Sequence, residues 1–136
     1  MILLDTNIVS GSMRVEPDTR LIDWMDRQRA SSLFLSAVSV DEIVFGIEAL
    51  PSGRRRDHLR GVFSDITDAF AGRILALDAT AARESARLRA HRQRIGRSMS
   101  LADAQIAGVA KSNDLSLATL NARDFEAIDL PLVAPY

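Results

Sequence analysis

The chain has 136 residues, 47% hydrophobic and 26% charged, with a net charge of −1: the make-up of a soluble globular protein with one substantial core. It has no cysteine, which excludes disulfides and thiolate metal sites, fits a cytoplasmic location, and leaves carboxylates or two histidines as the only metal ligands. No apolar stretch reaches the roughly 20 residues of a membrane span, and the first residues show no secretory signal.

The elements are predicted in chain order as follows. Ile2–Leu4 is a short apolar run, as a buried parallel strand should be, and it ends abruptly in Asp5-Thr6-Asn7. After Pro17, Leu21, Ile22, Trp24 and Met25 recur at helical spacing, with Asp23, Asp26 and Arg27 on the wet side. Leu33–Leu35 is a second strand. Val40, Ile43, Val44 and Ile47 mark a helix closed by Pro51-Ser52-Gly53. A further helix covers about 55–70. Ile74–Leu77 is a third strand, and Asp78 opens a long helix that Gly96 ends. Another helix runs from Ser100 to about Lys111, and Asn113-Asp114 turns into a fourth strand, Leu115–Ala118. A helical turn near Asp124-Phe125 precedes a last strand around Leu132-Val133. With no repeat, low-complexity tract or linker, residues 1–136 are expected to form a single domain. Alternating strands and helices predict a three-layer α/β/α sandwich around a mostly parallel sheet.

In such sheets ligands sit beyond the carboxyl ends of the strands, which is where Asp5 is delivered, and its carboxylate needs a cation or donors there. Asp5 shows no competing capping role. Two other acids do. Glu42 in Ser39-Val40-Asp41-Glu42 and Asp103 in Ser100-Leu101-Ala102-Asp103 both fit the Ser-x-x-acid capping box. Glu42 closely follows the second strand and so falls on the same edge as Asp5, whereas Asp103 follows a helix and its convergence is less defined. Three clustered carboxylates repel without a cation; with Mg²⁺ or Mn²⁺ they are the hard oxygen ligands these ions prefer, able to activate water against a phosphodiester. Thr6, Asn7, Thr119 and Asn121 are the polar residues placed to orient phosphate or water.

Taken together, LLDTN at the start, SxxxDEIxxG with Glu42 and Gly46, SLADAQIA with Asp103, and LATLNARDF near the end resemble a PIN-domain ribonuclease. More narrowly they resemble the VapC-like toxins of toxin–antitoxin pairs, in order and from end to end. The resemblance implies a Mg²⁺- or Mn²⁺-dependent endoribonuclease with a parallel α/β/α sandwich. It implies metal-ligand roles for Asp5, Glu42 and Asp103, a homodimer, and a small antitoxin whose tail enters the acidic site. Asp41 does not match the family's acid and reads as a solvated first-turn residue. For the fourth acid, many relatives use the position of Asn121, and others that of Asp124, which here either assists catalysis or starts a helical turn. Leu120 stands where relatives often carry arginine.

The basic residues are Lys111 and otherwise arginines, a bias that suits either codon usage or phosphate binding through the guanidinium fork. Arg54-Arg55-Arg56 with Arg60 is either a solvated helix start or an RNA backbone contact. Arg83, Arg87 and Arg94 share a wet helical face, with RNA steering as the second reading. His58 and His91 lack metal-ligand spacing, and neither is assigned a catalytic role. Leu21, Trp24 and Met25 are core or a contact surface for the antitoxin. Two rival functions stay open. One is an aspartyl-phosphate phosphotransferase or phosphatase built on Asp5, although such sites want an acid at position 7 and a phosphate-binding lysine, for which only Lys111 exists. The other is a non-catalytic interaction module in which Glu42 and Asp103 merely cap helices.

Overall fold

The computed structural model describes all 136 residues. Five strands, β1 (Ile2–Leu4), β2 (Leu33–Ser36), β3 (Ile74–Leu75), β4 (Ser116–Ala118) and β5 (Leu132–Val133), form one sheet in the order β3-β2-β1-β4-β5. Every pairing is parallel; Leu3 lies opposite Phe34 of β2 on one side and Leu117 of β4 on the other. The expected mostly parallel sheet is therefore wholly parallel. Six helices cover its faces: α1 (Thr6–Ser12), α2 (Thr19–Arg27), α3 (Ala37–Glu48), α4 (Arg54–Ala69), α5 (Ala79–Arg94) and α6 (Leu101–Ser112).

Successive strand side chains point to opposite faces, so two cores form. Leu3 and Leu117 bury one face against Ala81 and Leu88 of α5 and Ala104 and Ala107 of α6, with Phe125 closing the end. Leu4, Leu35 and Ala118 bury the other against Ile8, Trp24, Ile43 and Phe63. Trp24 is thus core; its indole offers no free contact face. The tightest packing lies between α5 and α6 at Gly108, where an added Cβ would sit 2.4 Å from the Ala81 carbonyl oxygen and 2.7 Å from the Ser85 nitrogen. Only glycine permits this approach.

Three local expectations are corrected. The polar residues after β1, where no element is predicted, begin α1, a helix too short for periodicity to reveal, and Asp5 is its N-cap, accepting from the Thr6 amide. Asp5 therefore does have a capping role. The N-cap of α3 is Ser36, three residues before Ser39, so Glu42 lies a full turn beyond any capping box. The third strand stops at Leu75, two residues short of Leu77. No helix is long and apolar enough to cross a membrane.

Candidate functional site

The strand order changes direction between β1 and β4. Chain connections leave toward β2 and β3 on one side and toward β5 on the other, which opens a crevice at the carboxyl edge. Asp5 follows β1 and Thr119 follows β4, directly across that crevice, and the Asp5 amide donates to the Ala118 carbonyl at 2.9 Å. Asp5 is 5% exposed. One carboxylate oxygen accepts from the Thr6 amide at 2.8 Å, and the other accepts from the Thr119 hydroxyl at 2.8 Å. Two donors do not compensate for burial. Desolvation pushes the Asp5 pKa up to about 6, against the pull of these bonds and with help from the nearby charges of Asp103 and Glu42.

Glu42 arrives on α3. Its carboxylate accepts from the Thr6 hydroxyl at 2.7 Å, and the same hydroxyl lies 2.8 Å from that of Ser39, which is fully buried. Thr6 therefore links the Asp5 segment to the Glu42 helix. Sequence reading did not single out Ser39 for this contact. Its only visible signal was a serine one turn before Glu42 on an otherwise apolar face.

Asp103 stands in the first turn of α6. Because α6 returns through a tight turn to β4, it runs antiparallel to that strand, so its start lies at the same carboxyl edge as Asp5. The Ser100 hydroxyl accepts from the Asp103 amide at 3.1 Å. The reciprocal half of a capping box, carboxylate to the Ser100 amide, is absent. Asp103 faces the cluster instead. Burial raises its pKa, outweighing the Ser100 hydroxyl, and the charges of Asp124 and Glu42 push the same way.

Asp124 belongs to the 3-10 turn Ala122–Phe125 after β4. Asn121 donates from its side-chain amide to Asp124 at 2.7 Å and from its backbone amide to the Thr119 hydroxyl at 3.0 Å. Asn7 accepts from the Leu120 amide at 3.3 Å. All eight residues predicted for the site thus gather at one edge. Arg60 donates to Glu48, Arg56 to Ser52, and Lys111 to Asp129. His58 and His91 are exposed.

No ion pair in the protein involves Asp5, Glu42, Asp103 or Asp124. No three acids or histidines close into a ready-made ligand shell. An all-oxygen, all-anionic, loosely spaced donor set of this kind fits Mg²⁺ or Mn²⁺. Mg²⁺ in particular retains several waters and takes one or two carboxylates directly. It does not fit a soft or tightly caged metal.

The family model for the PIN domain matches residues 2–130. Plasmid stability protein StbB of Pseudomonas syringae pv. tomato is 38% identical over the whole chain and 99% of its own length. VapC ribonuclease Y4jK of Sinorhizobium fredii is 36% identical over the whole chain and 98% of its length. Among solved structures, FitAcB from Neisseria gonorrhoeae superposes with a TM-score of 0.92 at 34% identity, covering 99% of this chain and 98% of the matched one. With this sheet, this edge and these relatives, the chain belongs to the PIN-domain family.

Proposed function

We propose that this protein is a Mg²⁺- or Mn²⁺-dependent endoribonuclease acting as the toxin of a toxin–antitoxin pair, as a homodimer held in check by a small antitoxin. The observation that carries the reading is the cluster itself: four carboxylates at the sheet's switch point, none of them in an ion pair. Asp5 is the most costly of them, buried with its pKa raised to about 6. Such a cluster costs stability as it stands, and a hard divalent cation removes that cost. A VapC ribonuclease at 36% identity along the whole chain supports RNA as the substrate.

In this reading Asp5, Glu42 and Asp103 hold the ion, which supplies charge neutralisation at the phosphodiester and a water acidic enough to attack it. Thr119 and the Thr6 amide orient the two oxygens of Asp5. The Thr6 hydroxyl, backed by Ser39, orients Glu42. Asn121 holds Asp124 at the open side, where it accepts a proton from water or donates one to the leaving oxygen. Asn7 and Asn121 are placed to orient phosphate.

The rival readings have less support. Lys111, the only lysine available to a phosphotransferase, lies at the far end of α6 from Asp103 and pairs with Asp129. Glu42 is not a capping residue, so the inert-module reading leaves its position without a cause. The deciding experiment is cleavage of total cellular RNA by the antitoxin-free protein in Mg²⁺, with the ends mapped, beside Asp5→Asn. Cleavage that disappears in chelator and in Asp5→Asn is expected. Undiminished cleavage by Asp5→Asn would refute the assignment.

A further inference from the structure

Arg92 is the one arginine buried in the protein, 5% exposed on the inner side of α5. A buried guanidinium ordinarily has a carboxylate partner. Arg92 has none: its hydrogen-bond partners are three main-chain carbonyls. Nε donates to Arg97, and Nη1 donates to Asp124 at 2.9 Å and to Glu126 at 3.0 Å. These carbonyls belong to two separate segments. Arg97 lies in the connection that leads into Ser100 and Asp103. Asp124 and Glu126 bracket the end of the 3-10 turn after β4.

The second segment is strained. Ala127, the residue after Glu126, has φ of 61°, a left-handed conformation that costs an alanine on the order of 1 kcal/mol or more. Such backbone persists only where its surroundings over-determine it. Arg92 holds the carbonyl immediately before it. A hydrophobic residue at position 92 would fill the space but take the donor away from three main-chain carbonyls.

We infer that Arg92 is a positioning residue that ties the Asp103 connection to the Asp124 turn and so sets the spacing of that half of the acidic site. The inference rests on the metal-dependent reading above. It gives the α5 helix, which contributes no acid, a direct mechanical part in the site. The guanidinium also brings a positive charge near Asp103, which opposes the repulsion from the neighbouring acids.

The test uses the antitoxin-free full chain with Arg92→Met, Arg92→Lys, Asp103→Asn and the Arg92→Met/Asp103→Asn double variant. The first readout is the Mn²⁺ concentration at the midpoint of the metal-dependent thermal shift. The second is amide hydrogen exchange over residues 121–127. Arg92→Met is expected to raise the Mn²⁺ midpoint about tenfold, the usual cost of losing a group that orients a ligand, and to speed exchange in 121–127. Arg92→Lys, which keeps the charge and one or two donors, should fall between it and the wild type, and it carries the test if Arg92→Met does not fold. The double variant should shift the midpoint no further than Asp103→Asn alone, because Arg92 reaches the ion only by positioning that ligand. An unchanged midpoint, or shifts that add fully in the double variant, would overturn the inference. If the wild type shows no Mn²⁺-dependent shift, the metal reading itself fails; exchange at 121–127 then still decides whether Arg92 holds the turn, and unaltered exchange rejects it.

Discussion

Replacing Asp5 with asparagine should inactivate the protein and at the same time make it more stable. The Asp5 carboxyl has a folded pKa of about 6 against an ordinary 3.8. An acid raised in this way binds its proton more tightly when folded. Its contribution is fully present below about pH 3.8 and is lost as pH rises through about 6. The difference of about 2 pKa units corresponds to roughly 3 kcal/mol withheld from the metal-free protein above pH 7. Asparagine removes the charge at nearly constant shape. Its amide oxygen can still accept from the Thr6 amide, while the Thr119 hydroxyl must turn from donor to acceptor, at a cost of about 1 kcal/mol. The net expectation is about 2 kcal/mol of stabilisation near pH 8, or roughly 6–8 °C in melting temperature for a domain of this size. Near pH 4, where wild-type Asp5 is already protonated in the folded state, the two proteins should melt within about 2 °C of each other. The assay is a pair of thermal melts across this pH range in chelator, on protein freed of antitoxin. Adding Mn²⁺ near pH 8 should then stabilise the wild type and leave Asp5→Asn unmoved. If Asp5→Asn melts below the wild type near pH 8 in chelator, the electrostatic account of the site is wrong.

Thr119→Val keeps the buried shape and removes the donor to Asp5, so it should lift the Asp5 pKa further and cost about 1.5–3 kcal/mol near pH 8, with a smaller loss near pH 4; denaturant melts at the two pH values check this. Asp103→Asn should also stabilise the chelated protein as pH rises, because burial and the neighbouring acids hold that pKa above its ordinary value, and should abolish RNA cleavage in Mg²⁺. Gly108→Ala should cost about 1–3 kcal/mol despite alanine's better helix propensity, since its Cβ would press on the α5 backbone; a melting temperature at or above the wild type would reject the close-packing argument.

Much of this protein is legible without coordinates. Apolar runs of three or four residues, too short for helices and separated by helical periodicities, dictate a parallel sheet with helices on both faces, because crossover connections have room for nothing else. Asp5 at the end of the first such run is consequently an edge residue. The tertiary structure decided what local pattern could not. Glu42 and Asp103 carry the same Ser-x-x-acid signature, yet neither closes a capping box: one helix is capped three residues early at Ser36, and the other turns its acid toward the cluster. Asp5, which looked free of such a role, caps α1. Ser39 and Arg92 matter through partners 33 and 32 residues away, Thr6 and Asp124, and separations of that size leave no periodic trace. Backbone pattern determined the edge at which the acids meet. Their spacing, their burial and the raised pKa of Asp5 come from side chains that touch only after the crossovers close, which is why the chemistry of the site belongs to the fold.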